Sequence, residues 1–202
     1  MKPGQSCSAG VGSSLKGALR GLILAVTLLV VPGGWQDVRA DDLSPFLGSF
    51  VGRATVEDLA TGTQYQRDLD IVVVPHRNDG LRIDWVTVGL VDGRRDVPGV
   101  MRWAQTALFE PSGDNDFMIE VGDSSVFEER EAPVPIEGDA IRWAHIEGDV
   151  LHTSSFIVLE DGRYELHVYQ RILTDIGMDI HFERIVDGEI VRRVIGKTVR
   201  AG

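Results

Sequence analysis

From residue 44 onward, apolar and polar positions alternate in short runs. In Ser44–Leu59, Gly48, Phe50, Gly52, Ala54 and Val56 fall on one side of an extended chain, and Val51, Arg53, Thr55 and Glu57 on the other. This predicts a half-buried first strand, with Gly48 and Gly52 marking a bend or a close backbone approach. The same period recurs in Tyr65–Val74, in Leu81–Val91 (Leu81, Ile83 and Trp85 against Arg82 and Asp84) and in Val100–Phe109 (Met101, Trp103, Ala107 and Phe109 against Arg102 and Thr106). Phe117–Val121 and Val126–Arg130 read as short strands. Ile141–Glu147, Val150–Leu159, Tyr164–Leu173, Met178–Val186 and Glu189–Arg200 complete the series. Turn signals separate the runs, the clearest being Asp187-Gly188. Ala132–Asp139, with Pro133 and Pro135, is the longest irregular stretch.

About ten or eleven strands result, with no sustained helical period; one short helix is compatible with Met101–Leu108. Regular hairpins of this kind predict an all-β fold, an antiparallel up-and-down β-barrel in which closure removes the exposed edges. A β-sandwich is the alternative. Met101-Arg102-Trp103-Ala104 echoes Ile141-Arg142-Trp143-Ala144, which is expected of two strands sharing one in–out pattern.

Gly48-Ser49-Phe50, at the start of the first strand, is similar to the Gly-x-Trp opening of the calycins, the lipocalin and fatty-acid-binding-protein group, with Phe in place of Trp. The resemblance extends to the layout of residues 44–201. It implies a ligand-holding barrel in which an Arg of the last strand, Arg200 or Arg193, packs over the Phe50 ring.

The beginning of the chain has a different pattern. Lys2, Lys16 and Arg20 precede the apolar run Gly21–Val31, which Pro32-Gly33-Gly34 breaks before Val38-Arg39-Ala40. Residues 1–40 therefore read as a secretory signal peptide, too short in its apolar part to span a bilayer comfortably, and residues 41–202 as one barrel domain, periplasmic or secreted. The only cysteine, Cys7, falls in the removed segment, so the mature protein is expected to hold no disulfide and no cysteine metal site. Cleavage also removes Lys2, Lys16, Arg20, Arg39 and Asp37, leaving 16 basic against 30 acidic groups. Such a surface repels nucleic acid and anionic lipid.

Among chemistry-bearing residues, Trp85, Trp103 and Trp143 lie on the apolar faces of their strands, with Met101, Phe109, Phe117 and Phe182. They either fill a solid core or line a ligand cavity. His145 shares a face with Trp143, and His152 lies on the next strand; such a His either satisfies itself locally or, in a barrel, ligates haem iron. In the hairpin Tyr164–Val186, pairing Leu166 with Arg184, Val168 with Phe182 and Ile172 with Met178 matches the apolar faces. That register groups His167, His181 and Glu183 on the outer face, as solvated cross-strand pairs or as a two-His, one-carboxylate metal site. No Gly-x-Ser-x-Gly elbow or phosphate loop occurs. The function expected first is burial of a small, largely apolar ligand among Trp85, Trp103, Trp143, Met101, Phe109, Phe117 and His145, with an Arg or His fixing any polar head. A packed interaction module using the acidic surface or the Pro133–Pro135 loop is a second class, and a metal-dependent enzyme a third. The sequence identifies no cofactor and no protein partner.

Overall fold

The computed structural model describes residues 43–113, 117–122 and 133–202. The segment read as a signal peptide and the expected strand Val126–Arg130 lie outside the described residues. Ten strands follow in chain order: β1 (Gly48–Asp58), β2 (Thr63–Pro75), β3 (Leu81–Gly89), β4 (Arg102–Pro111), β5 (Met118–Glu120), β6 (Ile141–Glu147), β7 (Val150–Val158), β8 (Tyr164–Leu173), β9 (Gly177–Val186) and β10 (Glu189–Ala201). Each pairs antiparallel with its sequence neighbours, and β1 pairs with β10 from Ser49↔Ala201 to Asp58↔Arg192. The sheet is therefore a closed up-and-down barrel. Closure excludes the β-sandwich alternative. The stretch compatible with a short helix, Met101–Leu108, is largely β4. Among the described residues, no helix is long and apolar enough to cross a membrane.

The β1–β10 seam depends on glycine. A Cβ on Gly52 would lie 2.0 Å from the Lys197 carbonyl oxygen, so only a hydrogen lets the strands approach this closely. Beside it, Gly48 takes a φ of +135° where a side chain would meet the Arg200 guanidinium. That guanidinium lies over the Phe50 ring, 4.7 Å from its centroid. It donates to the Leu47 carbonyl and, at 2.6 Å, to the Pro45 carbonyl. Of the two expected arginines, Arg200 covers Phe50; Arg193 instead pairs with Glu183 at 3.1 Å.

Alternation places Phe50, Ala54 and Val56 of β1 inside, with Val51 and Arg53 exposed. At the end where β1 begins, Phe46 from the single turn Ser44–Phe46 packs with Phe50, Val73, Leu81, Ile83 and Met178, all fully buried or nearly so. These side chains fill that end of the barrel. At about 25 cal/mol per Å² of apolar surface, each contributes about 1.5–3 kcal/mol of burial.

The β8–β9 hairpin differs from its expected register by one residue. The observed partners are Leu166↔Ile185, His167↔Arg184, Val168↔Glu183, Tyr169↔Phe182 and Arg171↔Ile180. A one-residue slip exchanges the faces of a strand. It therefore turns Glu165, His167, Tyr169 and Arg171 inward and leaves Leu166 and Val168 outside the lumen.

Candidate functional site

That inward face of β8 forms one wall of a lumen cavity of about 280 Å³. Leu69, Ile71 and Trp85 supply an apolar wall from β2 and β3, and Ile180, Phe182 and Val194 a second from β9 and β10. A neighbouring cavity of about 320 Å³ is lined by Ile83, Gln105, Phe109, Arg142 and Ser155. Trp85, His167 and Tyr169 line both.

Arg171 is the deepest charge of the lumen. It is 2% exposed, donates to Thr153 Oγ1 at 2.8 Å and lies over the rings of Tyr169 and Trp85, 5.1 and 5.9 Å from their centroids. No carboxylate pairs with it among the described residues, and its Nε has no partner. Burial pulls its pKa down to about 10, only partly offset by Tyr169, so it remains a cation at neutral pH. Burial likewise pushes the Tyr169 hydroxyl above its ordinary value and keeps it protonated.

Three more arginines face the same cavity. Arg67 donates to the Tyr65 hydroxyl at 2.9 Å; Arg184 pairs with Glu165 at 2.5 Å and Arg192 with Asp58 at 2.8 Å. In each, Nε is buried without a partner among the described residues. Two of the four guanidiniums thus have carboxylate partners and two have neutral ones. Glu165 also meets His167 Nε2 at 2.6 Å. Burial raises the Glu165 pKa, but the bond and charge of Arg184, with His167, outweigh it and hold it below the ordinary carboxylate range. Burial depresses His167 below the usual imidazole value despite Glu165, with Arg184 and Arg142 adding to the shift. The result is an acidic protein with a cationic lumen.

The expected site residues separate. Trp85 and Phe109 line the cavities. Trp103 shares the inward parity of β4 but is 44% exposed near the strand's end, and Met101, 62% exposed, precedes the strand. Trp143 and His145 alternate with inward Ala144 and Ile146, so they lie on the outer face of β6. Phe117, 45% exposed, lies tilted against the His145 ring, centroids 5.0 Å apart, rather than joining a lumen cluster. His167, His181 and Glu183 do not converge. His167 faces the lumen, whereas His181 and Glu183 alternate with inward Ile180 and Phe182 on the outer side of β9. The metal trio required the register that the hairpin does not adopt. The sequence reading missed Arg67, Arg171, Arg184 and Glu165. Strict alternation with Tyr169 on the inward face would have found Arg171 and Glu165.

No protein-family model and no curated protein matches the chain. Among solved structures it is similar to a protein of unknown function of the DUF3598 family from Nostoc punctiforme, at 9% identity and a TM-score of 0.38. That match covers 80% of this chain and 50% of the other, so the chain spans half the length of that protein. It is also similar to the S-type phycobiliprotein lyase CPES from Guillardia theta, at 9% identity and a TM-score of 0.36, over 79% of this chain and 90% of the other.

Proposed function

We propose that this barrel is an exported carrier of a small amphiphile, its apolar body held among Trp85, Ile71, Ile180 and Phe182 and its anionic head by Arg171. The observation that carries this reading is the buried Arg171 guanidinium, which opens on a cavity with apolar walls and has no carboxylate partner among the described residues. A buried charge without a counter-ion is costly, and a ligand carboxylate offsets that cost with paired, charge-assisted hydrogen bonds. An apolar pocket with a few convergent polar groups is the usual form of a small-molecule site. Arg67, which lines the same cavity and is bonded to the neutral Tyr65 hydroxyl, favours the same ligand charge.

Titration of the tryptophan fluorescence of a Trp103→Phe, Trp143→Phe protein, which keeps Trp85, with decanoate, decanol and decylamine tests the reading. The acid is expected to bind about tenfold or more tightly than the alcohol, and the amine not to bind, because a hydrogen bond to a charged group contributes about 1.5–3 kcal/mol. Equal affinity for acid and alcohol, or no binding by any of them, overturns it. Export is tested separately by N-terminal sequencing of the protein recovered outside the cytoplasm, with Asp41 expected first.

A further inference from the structure

The β6–β7 hairpin carries a second polar cluster, on the face of β6 opposite the lumen. Gly148, with a φ of +57°, and Asp149 turn the chain so tightly that His145 stands directly across the ladder from His152. Strand alternation brings Glu147 to the same face as His145. The two imidazoles stack, with centroids 4.5 Å apart and planes 6° from parallel. His152 Nε2 is 3.9 Å from Glu147 Oε2. One ligating atom from each of the three residues lies within 4.8 Å of the other two.

Protein hydrogen bonds do not account for this arrangement. His145 Nδ1 is buried and has no partner among the described residues, although buried polar atoms are nearly always satisfied. The Glu147 carboxylate is 82% exposed, and its contact with His152 is too long for a hydrogen bond. We propose that His145, Glu147 and His152 form a surface site for a divalent transition metal of the zinc class, with the remaining coordination positions left to water or an incoming ligand. Two imidazoles and a carboxylate suit zinc, cobalt or nickel rather than calcium or magnesium, which prefer all-oxygen shells. Tetrahedral donors at about 2.0–2.1 Å from zinc stand about 3.4 Å apart, so closing the present spacing takes a swing of the exposed Glu147 side chain and a turn of the two stacked imidazoles toward a common point. The site is independent of the lumen and of any ligand bound there.

The test is calorimetric titration of tag-free, chelator-treated protein with Zn²⁺, paired with the visible absorption of Co²⁺ as a coordination signature. One Zn²⁺ per chain is expected. His152→Ala should weaken it about tenfold or more and remove the Co²⁺ bands, consistent with loss of one of three ligands. Because the half-buried His145 also packs against Phe117, Glu147→Gln serves as the variant that leaves packing untouched; it should weaken Zn²⁺ several-fold with an unchanged melting temperature. His181→Ala, on the outer face of β9, should leave the affinity unchanged. Absence of a one-to-one Zn²⁺ site, or binding that survives both His152→Ala and Glu147→Gln, overturns the proposal.

Discussion

At one end of the barrel Phe46, Phe50, Val73, Leu81 and Ile83 are fully buried, and Arg200 covers the Phe50 ring while bonding two carbonyls of the entering chain. Toward the other end, β2, β8, β9 and β10 contribute Arg67, Glu165, His167, Arg184 and Arg192 to the cavity wall. The arginine of the closed end has its bonds satisfied by protein, whereas Arg171, lying between the two ends, is buried and has no carboxylate partner among the described residues. One end is arranged for stability. The other keeps polar groups out of water without full pairing, an arrangement suited to a ligand and costly without one.

The difference is sharpest in truncations. Phe50→Ala should remove a ring that fills the closed end and costs about 3–5 kcal/mol of unfolding free energy by denaturant titration. Gly52→Ala, at the seam, should cost about 1–3 kcal/mol through displacement of the Lys197 carbonyl. An equally stable protein in either case would mean that the seam and plug do not hold the barrel closed. Arg171→Met should behave oppositely. Its melting temperature should stay level or rise, because an apolar side chain of similar length replaces an unpaired buried charge. Acid binding should nonetheless fall about tenfold or more. A strongly destabilised Arg171→Met protein would place Arg171 with the structural end rather than with the site.

Acidification separates the ends by a smaller effect. The His167 pKa in the folded protein lies below the unfolded value, as does that of Glu165. Each contribution is present above the unfolded-state pKa and is lost as pH falls through the folded one; for His167 the loss starts below its ordinary value of 6.5, for Glu165 below 4.5. Stability should therefore decline from neutral pH downward as the unfolded state takes up more protons. Burial and His145 lower the His152 pKa as well, so His167→Gln should flatten the part of the decline near neutrality without abolishing it. Unchanged pH dependence in that variant would show that His167 is not held neutral among Glu165, Arg184 and Arg142.

The barrel itself was readable from the alternation of residues 44–201 and the regular turns, because period-two patterning encodes which face is buried and up-and-down hairpins bring consecutive strands together. The Asp187-Gly188 turn is an example: both residues take positive φ, as a two-residue hairpin requires. The arginine over Phe50 was anticipated only through the resemblance of Gly48-Ser49-Phe50 to the calycin opening, which left Arg200 and Arg193 both open; the structure selects Arg200. The lumen was not legible. In β8 apolar side chains occupy both faces, Leu166, Val168 and Ile172 on one and Tyr169 and Leu173 on the other, so matching hydrophobic faces favoured the wrong one. Only the tertiary structure, through the register that the turn at 174–176 imposes on β8 and β9, turned Glu165, His167 and Arg171 inward. The sequence by itself determined the closed sheet, because that depends on local alternation. Which polar residues stand in the lumen, and that His145 faces His152 outside it, depended on cross-strand register, a relation between strands that no single strand's pattern contains.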